Sequence, residues 1–255
     1  MTADLLRLKG VSLSYPAPGG RFIRVLNSVD LQVGTGRFVA VLGPSGCGKS
    51  TLLRVIAGLL PEYEGEMEYV DGDLRVSPLA ISMNFQKPVL LPWLSVAQNA
   101  RIPFDASGKH WGPQQDELLA SLLRLVGLQG FADALPAELS GGMNMRAALV
   151  RSFITQPKLL LMDEPLSALD EATRTRLGVE LRALARDQGT TVIFVTHSVQ
   201  EAVFLADEVV TLSARPARVL DRIDVDLPGI RDDATLYHPA FTKLASRIRD
   251  RVTHD

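Results

Sequence analysis

The chain has 255 residues, 46% of them hydrophobic, enough to bury one substantial core or two modest ones, so a folded globular protein is expected. Its net charge of −2 excludes the basic field that holds a nucleic-acid backbone, which argues against nucleic acid as a partner. The single cysteine, Cys47, excludes an internal disulfide and fits a reducing compartment, with the cytosol as the default.

The elements follow in a clear rhythm. Residues Leu5 to about Val33 alternate apolar and polar around a PAPGG turn, which predicts antiparallel strand pairing. Val39 to Leu42 reads as a short buried strand, and Ser50 to Leu60 as a helix ending before Pro61. In GEMEYVDGDLRV the Asp71-Gly72 dipeptide predicts a second hairpin. From Pro88 to about 155 the pattern turns helical and proline-punctuated, with Asp116 to Val126 at helical spacing, which suggests a helical subdomain. Leu159 to Met162 and Thr191 to Val195 are apolar runs separated by a helix from Glu171 to Arg186, the pattern of buried parallel strands with a crossover helix. The N-terminal MTADLLRLKG lacks a secretory pattern, and no stretch approaches the roughly 20 apolar residues that span a bilayer. If the protein serves a membrane, another chain is expected to do the spanning.

Between the Val39 strand and the helix after it lies Gly43-Pro44-Ser45-Gly46-Cys47-Gly48-Lys49-Ser50-Thr51. This spacing in a strand, loop, helix context is that of a phosphate-binding P-loop. Glycines let successive N–H groups turn inward, the helix N-terminus adds positive potential, and Lys49 reaches the β and γ phosphates. Ser50 is placed to ligate Mg²⁺. Cys47 fills space in the loop and receives no catalytic role. Such a loop alone leaves GTPases, kinases and transport ATPases open. LLLMDEP supplies more: an apolar strand ends in Asp163, placed to hold a Mg²⁺ shell, and Glu164, placed to orient or activate water.

LSGGM, Leu139 to Met143, followed by Arg146, precedes that strand. Here the sequence resembles the nucleotide-binding subunit of an ATP-binding cassette (ABC) transporter, over nearly the whole chain. The resemblance implies an α/β fold: a P-loop NTPase core of parallel strands with an antiparallel β subdomain and an inserted α-helical subdomain at about 88–155. One nucleotide-binding domain would occupy 1–230, and 231–255 would be a short helical extension with no regulatory domain. It implies further that Ser140, Gly141 and Gly142 face the γ-phosphate held by the opposite subunit, so that two chains pair head-to-tail. Tyr15 matches the aromatic that stacks on adenine. Gln86 matches the glutamine that contacts Mg²⁺ and water and senses the membrane partner. His197 matches the switch histidine on the γ-phosphate, and Asp170 the D-loop aspartate at the opposing subunit. ATP and Mg²⁺ are the cofactors implied.

LLPWLSVAQNA, Met143 and SARPARVLDRIDVDLPGIRD look like the nitrate/sulfonate/taurine importer subfamily, from whose usual arginine and glutamine Asn144 and Met145 depart. The resemblance implies an importer ATPase at the cytoplasmic face of the inner membrane. Its partners would be permease subunits, a second cassette that is identical or a paralogue, and, indirectly, a solute-binding protein. An exporter or lipid-transport ATPase shares the motifs; a soluble cassette is more distant, because the interval from Lys49 to Ser140 has no room for a long coiled coil. Val89 to Leu94, with Trp93, reads equally as docking surface or internal packing. Phe241, Leu244, Ala245, Ile248 and Val252 share one helical face, which predicts a helix folded onto its own core.

Overall fold

A computed structural model describes residues 3–70, 77, 79–227 and 231–253. In chain order the strands are β1 (Asp4–Ala17), β2 (Arg21–Gly34), β3 (Phe38–Leu42), β4 (Glu64–Tyr69), β5 (Ile81–Asn84), β6 (Leu159–Asp163), β7 (Thr191–Thr196), β8 (Glu208–Leu212) and β9 (Val219–Asp224). The helices are α1 (Lys49–Ile56), α2 (Val96–Ser107), α3 (Pro113–Leu125), α4 (Gly141–Phe153), α5 (Glu171–Asp187), α6 (Val199–Leu205), α7 (Asp233–Leu236) and α8 (Pro239–Thr253). The chain divides into two compact units, Met1–Gly72 with Thr191–Asp255, and Asp73–Thr190.

In the first unit the alternating N-terminal segment is the antiparallel hairpin β1–β2, and β4 pairs with the other edge of β1. Beside this small sheet, β3 lies between β7 and β8 in parallel register, with β9 antiparallel on β8. All five residues of β3 and all six of β7 are buried, which explains why β3 and the interior of β7, Val192 to Val195, read as apolar runs. Phe38 and Phe194 meet edge to face between the two strands. Helix α8 buries Phe241, Ala245 and Ile248 and packs against α6 and β8, as its apolar face predicts.

One expectation shifts. Helix α1 ends at Ile56 rather than Leu60, because Gly58 takes φ +73 and closes a Schellman cap: Leu59 N–H donates to Arg54 O and Gly58 N–H to Val55 O. The stop is this glycine, with Pro61 only following it. The Asp71-Gly72 turn lies outside the described residues, and the strand ahead of it, β4, finds its partner in β1.

The second unit holds the parallel pair β5–β6 with helices α2 to α5. Helix α2 opens with a reciprocal capping box, Ser95 Oγ accepting from Gln98 N–H and Gln98 Oε1 from Ser95 N–H. Helix α3 starts three residues ahead of the expected Asp116, with Pro113 at its first position, where a missing N–H costs nothing. Among the described residues no helix is long and apolar enough to cross a membrane.

Candidate functional site

In the first unit, β3 and β7 run side by side, with Leu42 opposite Thr196. The Gly43–Ser50 loop and His197 therefore leave the sheet from the carboxyl ends of adjacent strands, the place where open α/β sheets collect ligands. Lys49 is 6% exposed, and its ammonium donates to Gly43 O at 2.8 Å and Pro44 O at 2.9 Å, which curls the loop around the lysine. Three glycines are required by space or backbone. A Cβ on Gly43 would lie 3.1 Å from Leu212 O; Gly46 has φ +74; and Gly48 has φ +128, with a Cβ position 3.0 Å from Val25 Cγ1. Cys47 is buried, as a space-filling role requires. Ser50 and Thr51 are half-buried at the start of α1.

A β-bulge in β2 explains the last contact. Ser14 pairs with Arg24 but Leu13 with Leu26, so Val25 is the extra residue, and Val25 and Leu26 both reach toward Gly48. Tyr15 is half-buried on β1 and pairs with Ile23, two residues ahead of the bulged Val25. His197 is exposed on a short turn: Thr196 Oγ1 donates to Glu201 Oε2 at 2.7 Å and accepts from Ser198 N–H at 3.0 Å, and Ser198 Oγ caps α6.

In the second unit, β5 and β6 are in parallel register with Asn84 opposite Met162, so Gln86 and the pair Asp163-Glu164 emerge together. Gln86 Nε2 approaches Glu164 Oε2 at 3.4 Å. Asp163 is 4% exposed at the strand end. Glu164 holds φ +47, a left-handed conformation that costs a non-glycine residue of order 1 kcal/mol or more. Ser167 offsets the strain, donating to Glu164 O from its N–H at 3.3 Å and its hydroxyl at 2.9 Å.

Ser140 caps α4, its Oγ accepting from Met143 N–H at 3.2 Å, and Gly141 and Gly142 form the first helical positions. A Cβ on Gly142 would lie 3.3 Å from Leu169 Cδ2, so the start of α4 packs closely on the turn that leads to Asp170. Asp170 caps α5; the Thr173 N–H on its carboxylate lowers its pKa below the ordinary aspartate value.

The segment between Gln86 and α2 is held from two sides. Arg151 of α4 donates from Nη1 to Val89 O at 2.8 Å and from Nη2 to Pro88 O at 3.1 Å, and burial lowers its pKa. Buried Asn99 accepts from Leu91 N–H and donates to the carbonyls of Leu91, Leu94 and Ser95. Val89 sits at φ +43, and Trp93 remains 69% exposed, which favours presentation over internal packing.

A model of the ABC transporter family matches residues 26–167, from the bulged strand through the loop after Glu164. The chain belongs to the ABC transporter family. The Aliphatic sulfonates import ATP-binding protein SsuB 2 of Burkholderia cenocepacia is 46% identical to it over 209 residues, covering 82% of this chain and 75% of that one. SsuB 1 of Pseudomonas syringae pv. syringae is 42% identical over 82% of each chain. An uncharacterized ABC transporter ATP-binding protein of Methanocaldococcus jannaschii is 38% identical over 251 residues, 97% of this chain and 92% of its own. Among solved structures, a dimeric ATP-binding cassette in a post-hydrolysis state with ADP and phosphate matches with a TM-score of 0.76 at 29% identity, over 88% of this chain and 100% of that one.

The protein is accordingly an ATP-binding, ATP-hydrolysing ABC subunit with the cassette's mixed α/β fold. Sequence reasoning passed over three side chains that shape the site: Asn99 and Arg151, which fix the segment after Gln86, and Arg215, on the loop at Gly46; Asn144, noted in the sequence only as a departure from the subfamily, donates from Nδ2 to the carbonyls of Pro136, Leu139 and Ser140. Their partners are backbone carbonyls, which leave no mark in residue identity.

Proposed function

We propose that this ABC ATPase drives uptake of a small solute of the aliphatic sulfonate, nitrate or taurine type through a separate permease, working as a head-to-tail pair of cassettes. The observation that carries the import reading is 42–46% identity to proteins named for aliphatic sulfonate import. The exposed Trp93 on a segment pinned by Arg151 and Asn99 suits a docking surface for the permease, since a rigid apolar loop loses little entropy on binding. The chain then works peripherally, at the cytoplasmic face of the membrane.

In this reading Tyr15 stacks on the adenine, and the loop from Gly43 to Thr51 cradles the phosphates, with Lys49 moving from its own loop carbonyls to the β and γ oxygens. Mg²⁺ suits the donor chemistry of Ser50, Asp163 and Gln86, all hard oxygen ligands. When bound it would neutralise charge on the transferring phosphoryl group. Glu164 orients the attacking water, with Gln86 beside it, and His197 donates to the γ-phosphate. Ser140, Gly141 and Gly142 offer backbone donors to the nucleotide of the opposing cassette, and Asp170 meets that cassette across the interface. Catalysis is mainly positioning and electrostatic stabilisation.

The test is gentle detergent extraction from native membranes, identification of what co-purifies, and ATPase assay of the complex with an aliphatic sulfonate. Recovery of a multispanning permease, with hydrolysis stimulated by a solute-binding protein carrying the sulfonate, is the expected outcome. A permease that works without any receptor would overturn import in favour of export or lipid transport. Recovery with no membrane partner would overturn transport.

A further inference from the structure

We propose that Arg215 is a positioning residue for the phosphate-binding loop: from the β8–β9 turn it holds the Gly46 carbonyl and thereby sets the direction of the loop's inward N–H groups. The inference rests on the reading of Gly43 to Thr51 as the phosphate cradle. Arg215 Nη2 donates to Gly46 O at 2.8 Å and its Nε donates to the same oxygen at 3.2 Å. Two donors of one planar guanidinium on a single carbonyl fix both the position and the tilt of that peptide plane. The plane needs fixing: Gly46 has φ +74, its turn is closed by a long bond, Cys47 N–H to Pro44 O at 3.3 Å, and Lys49 holds the carbonyls of Gly43 and Pro44 but not that of Gly46. Because C=O and the next N–H point in opposite directions across a trans peptide, an anchored Gly46 oxygen determines where Cys47 N–H points.

The arginine is itself delivered by a braced turn. Ser213 Oγ accepts from Arg218 N–H and donates to the carbonyls of Ala214 and Pro216; Ser213 N–H donates to Arg218 O. Ala217 is fully buried and bonds both ways with β2, its N–H to Val25 O at 2.8 Å and its carbonyl from Asn27 N–H at 2.9 Å. One stretch, Leu212 to Ala217, therefore meets the phosphate loop at three glycines: Leu212 under Gly43, Arg215 on Gly46, and, through its bond to Val25, the residue that closes over Gly48. An exposed arginine that merely sought solvent would not converge two donors on a loop carbonyl from such a turn. Its charge also raises the positive potential where a polyphosphate would bind.

The experiment compares the full-length wild type with Arg215→Ala, Arg215→Lys and Lys49→Ala, measuring affinities for ATP, ADP and AMP without hydrolysis, steady-state KM and kcat, and thermal stability without nucleotide. For Arg215→Ala we expect ATP and ADP affinity to fall about threefold to tenfold while melting temperature holds and AMP affinity falls less, since AMP lacks the β and γ phosphates that a P-loop and its lysine hold. KM should rise more than kcat falls, and Arg215→Lys, with one rotatable head, should recover part of the loss. Unchanged ATP and ADP affinity in Arg215→Ala would overturn the proposal, as would an equal loss for AMP, which signals general collapse of the loop. Failure of the wild type to bind ATP, or full binding by Lys49→Ala, would instead overturn the cradle reading itself and the present inference with it.

Discussion

Glu164 combines a reactive position with a backbone most residues avoid, φ +47, stabilised by two donors from Ser167. The strain aims the carboxylate beside Gln86 at the end of β6, so its chemistry and its conformation are separable by substitution. Glu164→Gln keeps the shape and loses the basic oxygen; turnover is expected to fall about 100-fold or more while ATP still binds. Single-turnover hydrolysis within a few-fold of wild type would remove Glu164 from the water-orienting role. Asn84 poses the converse case. It is 1% exposed at the end of β5, and neither amide atom finds a hydrogen-bond partner among the described residues. An unpaired buried amide costs about 1–3 kcal/mol, so Asn84→Val, of similar size and better suited to a strand, is expected to raise the melting temperature by a few degrees. A lower melting temperature would show that the amide is satisfied by bound water. Lys49 was legible from sequence because the loop motif carries it, whereas Tyr15 rested on its position in the family resemblance; Asn84 and Arg215 were not legible, because their meaning lies in what surrounds them.

At the scale of elements, the segment from Pro88 to Leu94 shows how a loop without regular structure becomes rigid. It lacks a ladder of its own, so its carbonyls are taken by Arg151 from α4 and Asn99 from α2. Helix α4 therefore carries the segment that follows Gln86, linking the two within one unit. Arg151→Ala is expected to remove two charge-assisted bonds, about 1.5–3 kcal/mol, and to speed hydrogen exchange over Val89–Leu94 while leaving ATP affinity near wild type. Unchanged exchange there would show that Asn99 alone suffices. Asn144, in the first turn of α4, plays a similar part, bracing the carbonyls of Pro136, Leu139 and Ser140, so this departure from the subfamily pattern acts as a brace for the segment that leads into α4. The end of α1 teaches the same lesson, since Gly58 in a left-handed cap overrode the proline that sequence reading favoured.

For the whole molecule, the prediction concerns assembly. Ser140, Gly141 and Gly142 are exposed or half-exposed at a helix start, with the Ser140 hydroxyl already occupied in capping, so any anion they meet is met mainly by backbone N–H groups. In the head-to-tail reading that anion is the γ-phosphate of a second copy. Glu164→Gln, which retains ATP, is expected to shift from one chain to two on sizing columns when ATP and Mg²⁺ are supplied, and to remain single with ADP. Adding Ser140→Arg should block the shift while ATP still binds, because a bulky cation would fill the gap between the cassettes. Dimerisation of that double variant to the same extent would sink the head-to-tail arrangement.

The sequence by itself determined the P-loop motif, the ABC family and the runs that form the buried parallel strands. Strands buried on both faces are apolar along most of their length, and a phosphate loop needs glycines beside Lys49 and Ser50, so both leave patterns in one dimension. Only the tertiary structure decided how those groups are held: the bulge at Val25 that closes on Gly48, the Arg215 strut on Gly46, the Arg151 anchor on Val89 and the Ser167 bonds that sustain Glu164. The reason is that every one of these supports ends on a backbone carbonyl or a backbone conformation. Main-chain oxygens are the same at every position, so which one a side chain will reach is settled by folding alone.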